Sequence, residues 1–391
     1  MTVLFIIDSL GVGGAERSTL DLCVFLRHHN ITSAIVCLRN RSEGVQQEAI
    51  HAGIDVTFLR APGIFGQLRE FNEVCTRVRP DIVHTTLFKS RLRGRLHKLL
   101  YRRKYALVES LVTMPFSDQR IAQRRQSGAK IFGHKLIDAL LSRPVNKYVA
   151  ISEEVKSHAV KQLFLQKSRD YKVIYRGRDE NRFINDKETL RDLYASELKF
   201  DRDAIVFIHV GRQDFPKNHL FLLRAFLQLL ETTCCDKQRI LLCVGRRGDM
   251  SGEIDKLMSE SIHGALIHFL GHRYDVEKLL AQSDVFVFPS LFEGLGGSVI
   301  EAKAAELPLV VSDIEVFKEM LAEDEAIFIQ HDRVESFVSA MQLLAMDSTL
   351  RELMGKKNLE SFKRKFLKQT VNVQMLDLYK QLINEDSSAR Y

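Results

Sequence analysis

The chain has 391 residues, 45% hydrophobic and 27% charged, which is too long for one typical core and too ordinary in composition for a disordered or fibrous protein; two domains are expected. No apolar run reaches the roughly 18 to 20 residues that span a bilayer, and MTVLFIIDSL starts as a strand without a secretion signal's basic region and cleavage site, so a cytoplasmic protein is expected. Charge is split unevenly, 31 Lys and Arg against 17 Asp and Glu in residues 1–182, while the chain totals of 57 and 50 leave 26 against 33 for residues 183–391; a basic front half calls for phosphate groups, a membrane surface or nucleic acid.

The first strand, VLFIID, runs into DSLGVGGAERSTLDLCVFL, a glycine turn that opens a helix. Free N–H groups at such a helix start can approach an anion closely. Glu16 stands where the third glycine of a dinucleotide fingerprint belongs, and a tight packing turn explains Gly11, Gly13 and Gly14 about as well. The strands SAIVCL, DVTFL, DIVHTT, ALVESLV and KYVAIS follow, alternating with helical patterns as stacked βα units on a parallel sheet do.

Between Asp81 and Glu109 there is no acidic residue, but there are eight cations: Lys89, Arg91, Arg93, Arg95, Lys98, Arg102, Arg103 and Lys104. Leu92, Leu96, Leu99 and Leu100 share one helical face, which predicts a helix with leucines against the sheet and cations outward. A basic face there, with the second basic stretch RIAQRRQSGAKIFGHK, predicts peripheral contact with an anionic membrane through residues 89–104. No binding motif or aromatic platform accompanies it, so nucleic acid is not expected.

The polar segment YKVIYRGRDENRFINDKETLRDLYASELKF, with a turn at Gly177, separates the two series of strands. Domains of 1–182 and 183–370 are expected, with a C-terminal helix over 371–391 able to pack back on the first. The second series reads AIVFIHVG, RILLCVG, LIHFLG, DVFVFPS, LPLVVSD and AIFIQ. Two doubly wound α/β domains place ligands at the carboxyl ends of their strands, and make the cleft between them the default site. From about Ser348 the pattern is helical, with Phe362, Phe366, Met375, Leu378, Tyr379 and Leu382 as its apolar positions. The six cysteines (Cys23, Cys37, Cys75, Cys234, Cys235 and Cys243) lack metal-ligand spacing and read as reduced core residues.

Two loops of the second half carry candidate chemistry. In HVGRQDFPKNH, Arg212 and Lys217 flank a Pro-containing turn at a strand end and suit a diphosphate, although an isolated pair of this kind is more often solvated. In FPSLFEGLGGSVIEA, Glu293 lies in a Gly-rich loop and Glu301 about one turn inside the following helix. Carboxylates grip sugar hydroxyls and helix-terminal N–H groups grip phosphate. Sugar, phosphate and ribose in line make a nucleotide sugar.

GGAER after the first strand, VGRQDFPKNH, and FPSLFEGLGGSVIEAKAAELPLVVSD together resemble the family-four retaining glycosyltransferases of GT-B fold, over nearly the whole chain. The resemblance implies two Rossmann-like domains and transfer of a sugar from a nucleotide donor, here expected to be a UDP-sugar, to a lipid-linked or envelope polysaccharide acceptor at the cytoplasmic face of the membrane. It implies that Glu293 holds hydroxyls of the donor sugar, Glu301 the ribose, and Arg212 and Lys217 the diphosphate. Backbone amides of Leu295, Gly296 and Gly297 would join the anion site, Gly13 and Gly14 would face diphosphate and acceptor, and Arg273 would lie near the base. Front-face attack, with the leaving phosphate taking the proton, needs neither a protein nucleophile nor a metal, and no cofactor is expected.

Two departures stand out. Where the family often has a histidine after the fifth strand, this chain has Thr113; His84, one strand earlier, is a cleft residue or a core histidine. Where an N-G-x-D turn is common, YRGRD places Arg176 and Arg178, which would meet an acceptor phosphate or only solvent. Alternative readings are a nucleotide-sugar epimerase of the same architecture, which has no evident need of the two-glutamate loop, and a non-catalytic sugar-nucleotide binder. An NAD-dependent dehydrogenase is disfavoured by the interrupted glycine fingerprint.

Overall fold

The computed structural model describes residues 1–41, 43–115, 117, 128–162, 170–232, 236–330 and 332–388. The chain divides into two compact units, Met1–Gly177 with Lys368–Tyr391, and Arg178–Leu367.

In the first unit, β1 (Thr2–Ile7), β2 (Thr32–Cys37), β3 (Asp55–Phe58), β4 (Ile82–Thr86), β5 (Ala106–Leu111), β6 (Lys147–Ala150) and β7 (Tyr171–Val173) form one parallel sheet, ordered β3-β2-β1-β4-β5-β6-β7. Val3 to Ile7 are all buried, the near-continuous apolar run of a strand covered on both faces. The order reverses between β1 and β4, and there the glycine turn leads into the helix Gly14–His28. The second unit repeats the plan with β8 (Ile205–Val210), β9 (Arg239–Val244), β10 (Ile267–Gly271), β11 (Val285–Phe288), β12 (Leu309–Ser312) and β13 (Ala326–Ile329), ordered β10-β9-β8-β11-β12-β13. Its reversal lies between β8 and β11. In open α/β sheets such switch points receive the ligand, because the loops after the two strands diverge there.

Unit boundaries fall at 177/178 and 367/368, against the expected 182/183 and 370/371. The Arg178 N–H donates to the Phe366 carbonyl at 2.9 Å and Arg178 pairs with Leu367, so both segments belong to the second unit. The expected linker contains β7 and the helix Lys187–Leu198. The C-terminal helical pattern is broken into Ser348–Lys365, in the second unit, and Lys368–Ser388, in the first. Met375, Leu378, Tyr379 and Leu382 on the latter helix complete a core with Leu20, Cys23 and Val149.

The helix Phe88–Leu100 is inverted relative to expectation. It buries Ser90, Arg91, Gly94, Arg95 and His97, while Leu99 and Leu100 are 43% and 60% exposed. Gly94 lies so close to the sheet that a Cβ there would come within 2.6 Å of Thr85 Cγ2. The arginines are neutralised internally. Arg91 Nε donates to Glu109 at 2.9 Å and its Nη2 to Asp138 at 3.1 Å; Arg95 donates to Glu109 through Nε and Nη2, both at 2.7 Å, and also pairs with Asp138. Burial opposes ionisation of Asp138, but Arg91 and Arg95 outweigh it and hold the carboxyl below its ordinary range. Of the eight expected surface cations, Arg91 and Arg95 are therefore structural. Lys89, Arg102 and Lys104 are exposed, and Arg93, Lys98 and Arg103 are half-buried against Gln67, Asn146 and Asn72.

The second basic stretch lies largely outside the described residues, as do Cys234 and Cys235; Cys23, Cys37, Cys75 and Cys243 are buried free thiols. Among the described residues no helix is long and apolar enough to cross a membrane.

Candidate functional site

The two loops at the switch point of the second sheet are joined through their backbones, the Leu291 N–H donating to the Pro216 carbonyl at 2.8 Å. After β8 the chain passes Gly211 and Arg212 into a short 3-10 turn, Phe215–Lys217, and Asn218 at φ 55° reverses it into the helix His219–Leu230. Lys217 forms an ion pair with Glu293 from the other loop, and Ser290 Oγ donates to the same carboxylate at 2.9 Å. The Lys217 ammonium also sits 4.7 Å from the Phe288 ring centroid. With side chains 22% and 14% exposed, the pair is half-buried at the strand ends. Arg212 is 70% exposed and bonds Asp214 at 2.8 Å, leaving it able to swing onto an anion.

Beneath this loop are two buried histidines. His209 Nδ1 contacts the Val287 carbonyl at 3.0 Å, and the His209 and His219 rings meet edge to face at 4.5 Å. Burial, reinforced by neighbouring positive charge, pushes His219 down to about 4 and His209 well below its ordinary value, so both stay neutral near neutral pH. They extend the packing under Lys217 without adding charge.

The helix Gly297–Ala304 starts after Gly296, which adopts φ 79°; a Cβ there would be strained and would also meet the Phe317 ring at 2.8 Å. Leu295 is buried and anchors the loop. The first N–H groups of a helix have no partner within it, so this end can accept an anion. Behind it, buried Lys303 bonds Glu325 and Ser361 at 2.8 and 3.0 Å, pinning the helix, and burial pushes its ammonium down to about 8. Glu301 accepts a bond from Arg178 Nε at 2.7 Å. Arg273 is held by Asp275 and Glu197, at 2.7 and 3.2 Å.

The other expected residues lie in the first unit. Gly13, extended at φ −170°, caps the helix that Gly14 begins, and a Cβ on it would collide with the Glu16 carboxylate, so the chain's own acid lies against Gly13 at this helix start. Burial raises the Glu16 pKa above its ordinary value. At the same switch point, Asp8 accepts bonds from Ser90 N and Oγ at 3.1 and 2.7 Å. His84 is a core residue: it contacts Tyr379 Oη at 2.5 Å and Ser110 Oγ at 2.8 Å, and burial with the nearby Arg176 charge pushes it down to about 3. Arg176 also donates to Ser110 Oγ at 3.1 Å. Thr113 is exposed after β5. Sequence reasoning passed over Ser290, Asp8 and the two histidines, and read Glu16 only as an interruption of the glycine fingerprint; of the residues passed over, only Ser290, three residues before Glu293, carried a local signal.

Two doubly wound parallel sheets in series, each with its loops at a switch point, define the GT-B class of glycosyltransferase folds. The family model for group 1 glycosyl transferases matches residues 204–347, and that for glycosyltransferase family 4 matches residues 12–182. The chain belongs to these group 1, family 4 glycosyltransferases. It is 26% identical over 275 residues, 69% of this chain and 67% of the relative, to the UDP-Gal:alpha-D-GlcNAc-diphosphoundecaprenol alpha-1,3-galactosyltransferase of Escherichia coli. It is 23% identical, over 92% of both chains, to the capsular polysaccharide biosynthesis glycosyltransferase CapH of Staphylococcus aureus. Two further glycosyltransferases match over only 28% and 29% of their own length. Among solved structures, Anabaena HepE in complex with UDP and glucose superposes with a TM-score of 0.80 at 18% identity, covering 97% of this chain and all of that one.

Proposed function

We propose that the protein transfers a sugar, with retention of anomeric configuration, from a UDP-sugar to a lipid-linked or envelope polysaccharide acceptor at the cytoplasmic face of the membrane, without a resident metal. The observation that carries this reading is the Lys217–Glu293 pair, braced by Ser290 and set beside the glycine-led start of the helix Gly297–Ala304. Glu293 takes hydroxyls of the donor sugar. Lys217, Arg212 and the amides of Leu295, Gly296 and Gly297 take the diphosphate, and Glu301 takes the ribose. As the bond from sugar C1 to phosphate oxygen breaks, the acceptor oxygen bonds to C1 on the same face and its proton passes to the departing diphosphate. Negative charge grows on that diphosphate, and the fixed cations and helix end stabilise it as a metal would elsewhere.

The UDP-galactose and undecaprenol named for the E. coli relative support a UDP-sugar and a lipid-linked acceptor. The first unit supports membrane contact through a face other than the one expected. On the helix Gly128–Leu140, Asp138 points inward, while Phe132, Leu136 and Leu140, on the opposite side, are 59%, 44% and 69% exposed. A solvent-facing helix ordinarily has the reverse pattern.

The test is to incubate the protein with a panel of UDP-sugars and GDP-sugars and a synthetic GlcNAc-diphospholipid, with EDTA, and read nucleotide release and product. A new α-linkage by NMR from an α-configured UDP-sugar supports the proposal. Transfer only after metal addition removes the metal-free part, and epimerised donor without acceptor consumption overturns the reaction class.

A further inference from the structure

Arg178 opens the second unit, and its backbone is held there by Phe366 and Leu367. From that anchor the guanidinium reaches the helix Gly297–Ala304. Its Nε donates to Glu301 Oε1 at 2.7 Å, and its Nη2 lies over the first turn, where a Cβ on Gly297 would come within 2.5 Å. Glycine at 297 is therefore what lets the guanidinium lie across the helix start. The two side chains are 21% and 33% exposed, so a ligand can reach the pair, unlike the sealed pairs of Arg91 and Arg95. Arg176, two residues earlier, turns instead to Ser110 in the first unit.

The geometry points to Arg178 as a positioning and specificity-determining residue of the nucleotide site, holding the Glu301 carboxylate in the orientation that reads the ribose hydroxyls. This rests on the reading that Glu301 binds ribose. A carboxylate offers about four lone-pair sites, and the Nε bond uses one, leaving acceptors for a 2′ and a 3′ hydroxyl. An unsupported glutamate on a helix surface would give up its rotamer freedom when the ligand binds; a planar guanidinium already holding it removes that cost. The same guanidinium lies at the helix start, whose free N–H groups favour a phosphate. A site that holds an acceptor for a hydroxyl penalises a ligand lacking that hydroxyl. The consequence is discrimination between ribonucleotide and 2′-deoxyribonucleotide.

Calorimetric titration of the full chain with UDP, 2′-deoxy-UDP, GDP and 2′-deoxy-GDP tests this in wild type, Arg178→Ala, Arg178→Lys and Glu301→Ala. Wild type is expected to prefer the ribo form of the nucleotide it binds by about tenfold or more, and Arg178→Ala to reduce that preference to about threefold or less. The ribo form should weaken about fivefold to tenfold in Arg178→Ala, and donor KM should rise more than kcat falls. Arg178→Lys should regain affinity as a point charge but little of the discrimination. Full discrimination in Arg178→Ala, with loss in Glu301→Ala, overturns the role of Arg178 and leaves the ribose reading standing. Full discrimination in Glu301→Ala overturns the ribose reading itself, and this inference with it; no binding of either ribonucleoside diphosphate by wild type does the same.

Discussion

Replacing Glu109 by Gln tests whether the basic helix of the first unit faces inward. Glu109 is fully buried and accepts three bonds, from Arg91 Nε at 2.9 Å and from Arg95 Nε and Nη2 at 2.7 Å. With Asp138 it balances two guanidinium charges. The amide keeps the shape, but its NH2 faces guanidinium N–H groups and one buried positive charge is left uncompensated. Removing one partner of a buried ion pair costs about 3–5 kcal/mol. For a unit of roughly 200 residues each kcal/mol lowers Tm by about 2–4 °C, so Tm should fall by about 6–20 °C. Scanning calorimetry of the full chain reads this as a downward shift of one transition. Arg102→Ala and Lys104→Ala, at exposed positions, should stay within about 0.5 kcal/mol of wild type. A Glu109→Gln melt within about 2 °C of wild type would mean that the arginines reach solvent and the leucines face the sheet. The same cluster warns against reading Arg91→Ala or Arg95→Ala as lost membrane binding, since either breaks the fold locally.

Three further predictions concern the donor loops and pH. If Lys217 holds the diphosphate as proposed, Lys217→Ala should weaken UDP binding about tenfold to a hundredfold. Glu293→Gln should keep UDP affinity within about threefold while transfer falls about 10²–10³-fold; equal losses in both quantities would contradict the assigned roles. Burial, with Arg176, lowers His84 from 6.5 to about 3, so the folded chain keeps it neutral while the unfolded chain takes up a proton below 6.5. This contribution is fully present above pH 6.5 and is lost at about 1.4 kcal/mol per pH unit as pH falls toward 3. His84→Asn should reduce the pH slope of urea-unfolding stability between pH 6 and 4 by about that amount, and an unchanged slope would refute the burial argument.

The parallel strands were legible because a strand covered on both faces must be apolar along its length, as Val3–Ile7 and Val285–Phe288 are. β7 was not, since the three residues Tyr171–Val173 are too few to show a period. The helix Phe88–Leu100 misled for a different reason. Periodicity assigns leucines inward only when no stronger partner is available, and Glu109 and Asp138, remote in sequence, supply one to the arginines. The C-terminal pattern showed that the residues after Ser348 are helical, but not that successive helices serve different units.

By itself the sequence determined the doubly wound class, the glycosyltransferase family and the candidate residues Arg212, Lys217, Glu293 and Glu301, because these depend on local patterns: apolar runs, loop glycines and the spacing of charges at strand ends. Tertiary structure alone decided which charges meet. It joined Lys217 to Glu293, turned Arg178 to Glu301 and Arg176 to Ser110, buried Arg91 and Arg95, and made His84 a core residue bonded to Tyr379. The physical reason is that strand order and helix packing bring together side chains from distant segments, and an ion pair or hydrogen bond depends on separation in space.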